Sequence, residues 1–289
     1  VYARAARTPR QLIDEAADRL RAAGVPSPEL DAEALLRHVL GWDRATLMAE
    51  AVTPLTPNAE MRAQFERLVA ERATRRPLQH LTGRQWFWRH EFLVTPDVLI
   101  PRPETELIVE EGLRRLRDKA SPVVVDVGTG SGCIALSLAA ERRDAEVFGI
   151  DLSPAALTVA AENARRLGLE GRVRLLEGDL LAPVVALHGS IDLLASNPPY
   201  LDARDALAPE VRDHEPALAL FPPGDALSVY RRLVPQAATA LGPGGTLLLE
   251  VGLAMADDVA HLCEAAGLRV DRILPDLQAI PRTVVARRP

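Results

Sequence analysis

The chain reads as an α/β protein: a doubly wound sheet of seven strands following a small, all-helical N-terminal domain. Three observations predict this. From Val123 onward, seven short apolar runs alternate with helix-length segments, the pattern of a mostly parallel sheet covered on both faces. The first of these runs opens into a glycine-rich turn, and the second ends in Asp151, as strands bordering a ligand crevice do. Residues 1 to 75 show helix start and stop chemistry instead. With 289 residues there is room for one small and one medium domain.

Thr8-Pro9-Arg10-Gln11 supplies an N-cap, a proline at the first helical position and a Gln able to reach back, so a helix starts there and stops at Gly24. Ser27-Pro28 starts a second, whose apolar positions Leu30, Ala34, Leu35, Val39 and Leu40 recur at helical spacing up to Gly41. Thr56-Pro57 starts another, through Met61, Phe65, Leu68 and Val69. No nucleophile, base or metal-ligand set clusters in 1–75, so this N-terminal helical domain is read as a binding module or a structural cap rather than a seat of chemistry. In the next stretch, 76–103, Leu81-Thr82-Gly83 with Trp86-Phe87-Trp88, then Glu91-Phe92-Leu93-Val94, suggest a β-hairpin linker. It carries an exposed-looking aromatic cluster beside Arg84, Arg89 and His90, and either packs on its neighbours or walls an active site.

The second domain is assigned to 104–289. Pro101 and Pro103 hold an extended segment ahead of a helix that begins near Glu104 and runs through Leu107, Ile108, Leu113 and Leu116. A strand over 123–127 runs through Gly128-Thr129-Gly130-Ser131-Gly132 into a helix over 133–140. Strands over 147–151 and 173–177 flank a helix capped by Ser153-Pro154, and the fourth strand covers 191–195. The stretch 201–223 is long and proline-rich for a connection inside a compact domain, a sign of a functional loop. A helix over 225–241, a turn at Gly242-Pro243-Gly244-Gly245, a strand over 246–250, a helix over 254–266 and strands near 268–274 and 283–287 complete the sheet.

Composition excludes several classes. Net charge is −6 with no basic tract, against a protein that holds nucleic acid through many phosphate contacts. The two cysteines, Cys133 and Cys263, stand far apart and the six histidines lack ligand spacing, so neither a disulfide nor a metal is expected. No apolar run approaches the roughly 18 to 20 residues of a membrane span, and the N-terminus lacks a signal-peptide core, so a cytoplasmic protein is expected.

The chemistry is concentrated at Asn197-Pro198-Pro199-Tyr200, immediately after the fourth strand. A side-chain amide and a stiff, donor-poor turn then sit at the carboxyl edge of the sheet. The Asn197 oxygen and the Pro198 carbonyl can each accept one N–H of a planar NH2 group, with the Tyr200 ring against its flat face. Asn-Pro is also an ordinary way to leave a strand. The glycine turn lets the backbone approach a ligand at a helix N-terminus, and Asp151 is placed to accept from both hydroxyls of a ribose.

The run Asp126 to Gly132 reads D-x-G-x-G-x-G, which differs from the dinucleotide fingerprint and resembles the first motif of the S-adenosylmethionine-dependent methyltransferases. Pro101-Arg102-Pro103-Glu104-Thr105-Glu106 narrows this. Together with Asp126 to Leu136 and the Asn-Pro-Pro-Tyr turn, it resembles the peptide chain release factor glutamine methyltransferases, the PrmC/HemK family. The resemblance covers almost the whole chain, including Glu33-Ala34-Leu35-Leu36, the hairpin, the segment 215–220 and Tyr230-Arg231. It implies the class I methyltransferase fold, Rossmann-like. The implied cofactor is S-adenosyl-L-methionine, leaving as S-adenosyl-L-homocysteine, with no metal. Gly128, Thr129, Gly130, Ser131, Gly132, Asp151 and Asn197 would bind it, and at the corner after the third strand Asp179 would accept from the adenine amine while Leu180 faces the ring. Asn197, Pro198 and Tyr200 would be catalytic, and these with Pro199 would hold the substrate. The implied reaction is N5-methylation of the glutamine in the Gly-Gly-Gln motif of class 1 release factors, with the helical domain holding the factor's body, and with neither membrane nor stable nucleic-acid partners.

Three features depart from the family pattern: Ala226 where glycine is frequent, the stiff Phe221-Pro222-Pro223, and Leu180 where some relatives carry an aromatic ring. Rival readings are an adenine-N6 nucleic-acid methyltransferase, a ribosomal-protein glutamine methyltransferase, a cofactor-binding regulator without catalysis and a nicotinamide oxidoreductase. Acidic charge and the Pro101 to Glu106 segment weigh against the first, and that segment is usually lacking in the second. An intact Asn197 weighs against the third, and the glycine spacing against the last.

Overall fold

Helix starts follow the caps that the sequence spells out. In the computed structural model, which describes residues 7–55, 59–202 and 204–289, helix α1 (Pro9–Ala22) opens on a complete capping box. Gln11 N donates to Thr8 Oγ1 at 3.2 Å, and Thr8 N donates to Gln11 Oε1 at 3.0 Å. Helix α2 (Pro28–Leu40) ends at Gly41 in the left-handed region, and α3 (Arg44–Ala49) is capped by Asp43. Helices α4 (Ala59–Ala73) and α5 (Leu78–Thr82) follow. The start read at Thr56-Pro57 lies outside the described residues. Leu20, Leu35, Leu36, Phe65 and Val69 form the buried centre of this unit, which extends to Gly83 and also takes in Leu207–His214. Within it, buried Arg72 donates to Asp31 at 2.7 Å and to Glu210 at 3.0 Å, and Arg75 grips the same Glu210. Gly83 corrects the expectation of a strand over Leu81-Thr82-Gly83: its φ of 69° is a helix stop, so those residues end α5.

The second unit comprises Arg84–Ala206 and Glu215–Pro289. It opens with the antiparallel pair β1 (Arg84–Phe87) and β2 (His90–Leu93). Strand alternation sorts the aromatic residues by face. Phe87 and Phe92 are buried edge to face with ring centroids 6.0 Å apart, whereas Trp86 is exposed. The exposed cluster read from the sequence is therefore divided between two faces, and the hairpin packs on its neighbours.

A 3₁₀ turn over Pro103–Thr105 leads into α6 (Glu106–Leu116). Then β3 (Val123–Val127), α7 (Cys133–Glu141), β4 (Glu146–Asp151), α8 (Pro154–Arg166), β5 (Val173–Glu177) and β6 (Ile191–Ser196) alternate as predicted. The long connection holds two short helices, α9 (Pro209–His214) and α10 (Ala217–Leu220). Helix α11 (Ser228–Ala240), β7 (Leu241–Glu250), α12 (Ala256–Ala265), β8 (Arg269–Pro275) and β9 (Pro281–Arg287) finish the unit. The glycines read as a turn before residue 246 belong to β7, where Gly245 passes so close to β6 that a Cβ would lie 2.6 Å from the Ile191 carbonyl oxygen.

The sheet order is β5-β4-β3-β6-β7-β9-β8, with β9 alone running antiparallel, paired between β7 and β8. Strands β3 and β6 run parallel, and the order in which strands are added reverses between them, the switch point where open sheets leave a crevice. Register fixes what meets there. Val127 stands opposite both Ile150 and Ser196, and Ser196 opposite Leu249. Gly128, Asp151, Asn197 and Glu250 consequently emerge at one edge. Among the described residues, no helix is long and apolar enough to cross a membrane, and no group of His, Cys, Asp or Glu is arranged to hold a metal ion.

Candidate active site

A cavity of about 440 Å³ opens at that edge, within the range usual for small-molecule sites. Its lining contains Gly128, Thr129, Ser131, Asp151, Asp179, Leu180, Asn197, Pro198 and Pro199, so most of the residues singled out in the sequence come together. Gly130, Gly132 and Tyr200 are not in the lining.

The glycine turn is shaped by backbone bonds. The N–H groups of Gly128 and Thr129 both reach the Ile150 carbonyl, at 2.8 and 2.9 Å. Gly128, Gly130 and Gly132 all have positive φ, and at Gly132 a Cβ would also lie 2.8 Å from Leu136 Cδ1. Asp126, fully buried beneath the turn, accepts from Thr129 Oγ1 at 2.6 Å and from Ala135 N at 3.2 Å through one oxygen. Its other oxygen has no partner. Burial pushes this carboxyl up to about 7, against those two hydrogen bonds. Asp151 is held at the cavity wall by Gly130 N at 2.8 Å and Ser153 N at 2.9 Å, and burial raises it as well.

Leu180 lies at φ 52°, a conformation a bulky residue rarely adopts, and lines the cavity nearly buried. Asp179 forms an ion pair with Arg232, so the acceptor read for an exocyclic amine carries a guanidinium in this structure. Tyr200, read as a face for the guest, packs on the hydrophobic core. Its ring edge is 2.9 Å from where Gly252 would carry a Cβ, and burial pushes its hydroxyl up to about 12.

Over the opposite side, buried Glu215 accepts from Ile100 N at 3.1 Å and pairs with Arg102, tying the long connection to the extended segment. Pro216, Leu218, Ala219, Phe221 and Pro223 join the lining through this tie. Asn197 itself is oriented from behind. Its Nδ2 donates to Thr105 Oγ1 at 3.3 Å, and Thr105 Oγ1 donates to Glu250 Oε2 at 2.6 Å. Both partners are buried, and burial pushes Glu250 up to about 7.

Sequence reasoning gave no role to Thr105, Glu250 or Asn163. The last is fully buried on α8, where it accepts from Leu93 N at 2.7 Å and donates to the Leu93 and Ser131 carbonyls at 3.0 and 2.9 Å. An amide on the helical face otherwise made of Ala156, Val159, Ala160 and Ala164 was the available signal.

Residues 11–83 match the family model for the PrmC N-terminal domain, and residues 118–267 match that for a methyltransferase domain. The chain is similar to the release factor glutamine methyltransferase of Cereibacter sphaeroides, 48% identical over 95% of this chain and 96% of that one. Its similarity to the protein of the same name from Moorella thermoacetica is 47% over 97% and 99%, and to that from Deinococcus radiodurans 45% over 96% and 98%. Among solved structures, the catalytic domain of hMettl16 in complex with the MAT2A 3′UTR hairpin 6 shares the fold, with a TM-score of 0.53 at 13% identity over 68% of this chain and 74% of that chain. At this level of identity, two thirds or more of each relative being covered, the chain belongs to the release factor glutamine methyltransferase family.

Proposed function

We propose that the chain transfers a methyl group from S-adenosylmethionine to N5 of the glutamine in the Gly-Gly-Gln motif of class 1 release factors. The observation that carries this reading is the orientation of Asn197, whose amide nitrogen is engaged by Thr105, leaving its oxygen as the acceptor for a planar amide.

The residues present fit the cofactor. A carboxylate suited to ribose hydroxyls (Asp151), an apolar slot formed by Leu180, Leu152 and Val229, and an orphaned buried acceptor on Asp126 beneath a glycine turn match a nucleoside carrying a cationic tail. When bound, S-adenosylmethionine supplies an electrophilic methyl group. Asn197 Oδ1 and the Pro198 carbonyl would accept the two N–H groups of the glutamine amide and aim its nitrogen lone pair. That lone pair is delocalised into the carbonyl, so it needs alignment more than a strong base. The methyl–sulfur bond would break as the methyl–nitrogen bond forms, S-adenosylhomocysteine would leave, and the acidic methylated nitrogen would give its proton to water. As positive charge develops on nitrogen, the two fixed acceptors stabilise the transition state more than the ground state. The neutral amide of Asn197 does this without burying a charge against a neutral guest.

The test is transfer of labelled methyl to a purified class 1 release factor and to its Gln→Ala counterpart, with mass mapping of the product. Label on the Gly-Gly-Gln glutamine, absent from the altered factor, is expected. Label on a ribosomal protein or on nucleic acid instead would replace the proposed substrate.

A further inference from the structure

We propose that Thr105 and Glu250 are positioning residues that set which end of the Asn197 amide faces the cavity, with ionised Glu250 selecting the productive orientation. This rests on the role proposed for Asn197.

The inference follows from counting protons. A threonine hydroxyl has one. Thr105 N already donates to the Arg102 carbonyl at 3.1 Å, which fixes the residue in its 3₁₀ turn. An ionised Glu250 only accepts, so the Thr105 proton goes to its Oε2 at 2.6 Å. Thr105 Oγ1 can then only accept from Asn197, and Nδ2 turns to it at 3.3 Å. Oδ1 is left for the guest. A protonated Glu250 reverses the chain: its O–H donates to Thr105 Oγ1, and the Thr105 proton passes to the Asn197 oxygen. The amide then rotates by half a turn and presents two donors to a guest that also brings donors. One proton thus converts an acceptor site into a repulsive one.

The surroundings place this change near neutrality. Burial, aided by Glu104, raises Glu250 to about 7 against the opposing pull of the Thr105 hydrogen bond, Arg282 and Arg102. Tyr200 and Cys133 lie in the field of the Glu250 carboxylate, which raises both. The Tyr230 hydroxyl donates to the backbone carbonyl of Glu250 at 2.7 Å, pinning the strand end. Asp126, also raised to about 7, sits under the glycine turn, so its titration is expected to move the KM for S-adenosylmethionine.

Two readouts separate this idea from the substrate assignment. The chain has three asparagines, Asn58, Asn163 and Asn197, so asparagine-selective ¹⁵N labelling gives a simple side-chain amide spectrum, with the Asn197 pair assigned by its loss in Asn197→Ala. In the wild type that pair should shift between about pH 6 and 8, around the raised Glu250 value. The shift should vanish in Glu250→Gln and persist in Asp126→Asn. In turnover, kcat should rise over the same range, Thr105→Val should lower kcat about tenfold to a hundredfold with little change in KM for S-adenosylmethionine, and Thr105→Ser should recover most of it. An Asn197 pair that does not titrate, a titration that survives Glu250→Gln, or a Thr105→Val enzyme within about twofold of wild-type kcat overturns the relay. A titrating pair in a protein that does not label the release factor supports the relay and overturns the substrate assignment.

Discussion

Asn197 contributes one hydrogen-bond acceptor at the end of β6, and its value depends on both ends of one small amide. The nitrogen is spent on Thr105, which holds the oxygen toward the cavity. Asn197→Ala removes the acceptor and leaves the glycine turn and Asp151 in place. Losing one preorganised contact of this kind costs roughly 2.7 to 4 kcal/mol in the transition state, so kcat should fall a hundredfold to a thousandfold. Titration calorimetry with S-adenosylmethionine should show affinity within about fivefold of wild type, because most cofactor partners are untouched. Asn197→Asp should not restore turnover. It keeps an acceptor but loses the donor to Thr105 and brings a second carboxylate to the buried Glu250. Wild-type kcat in either variant would remove Asn197 from the reaction.

At the level of elements, the site is an edge effect of strand register: β3, β4, β6 and β7 end together, the first three delivering the glycine turn, Asp151 and Asn197 to one crevice and β7 placing Glu250 behind Asn197. Most of what is written locally was legible, although Leu81-Thr82-Gly83 ends a helix and the glycines before residue 246 lie in β7. The glycine turn follows from its own residues, as does the exit at Asn197-Pro198, and helix caps at Thr8 and Ser153 form as spelled. The link from Asn197 to Thr105 and on to Glu250 spans sequence separations of 92 and 145, set only by which strands are neighbours. No periodicity encodes that. The same holds for Asn163, which joins β2 to the glycine turn across 70 and 32 residues. Local context offered Tyr200 as a wall for the guest; its half-buried ring also packs on the core beside Gly252, a contact that no local signal gave. Two predictions belong here. Asn163→Leu strands the Leu93 and Ser131 groups, at about 1 to 3 kcal/mol for each buried polar group left unpaired, and should lower the urea midpoint while raising the KM for S-adenosylmethionine. Gly132→Ala forces an alanine to φ 82° against Leu136, and should cost at least about 1 to 2 kcal/mol with a similar rise in that KM. Unchanged midpoints would show that the turn relaxes freely.

Across the whole molecule, the buried carboxyls set how stability depends on pH, and they pull in opposite directions. In the second unit, Arg114, Arg115 and Arg272 surround Glu111 and hold it down at about 2 in spite of its burial, from an ordinary 4.5. A lowered value means stability that is present above 4.5 and lost as pH falls toward 2. Asp126 and Glu250 are the reverse: burial lifts them from 3.8 and 4.5 to about 7. Their contribution is fully present below those ordinary values and is lost as pH rises through about 7, when each must carry a charge in the interior. The second unit should therefore be most stable near pH 4 to 5 and lose, in all, on the order of a few kcal/mol by pH 8. Trp42 belongs to the first unit and Trp86 and Trp88 to the second, so tryptophan fluorescence in a Trp42→Phe background reports the second unit. Urea midpoints in that background should fall from pH 5 to pH 8, and adding Asp126→Asn with Glu250→Gln should flatten the fall by removing both buried ionisations. Parallel declines with and without the two amides would assign the alkaline limb to other groups. A flat profile in the parent would mean that Asp126 and Glu250 titrate in the folded protein as they do in the unfolded chain.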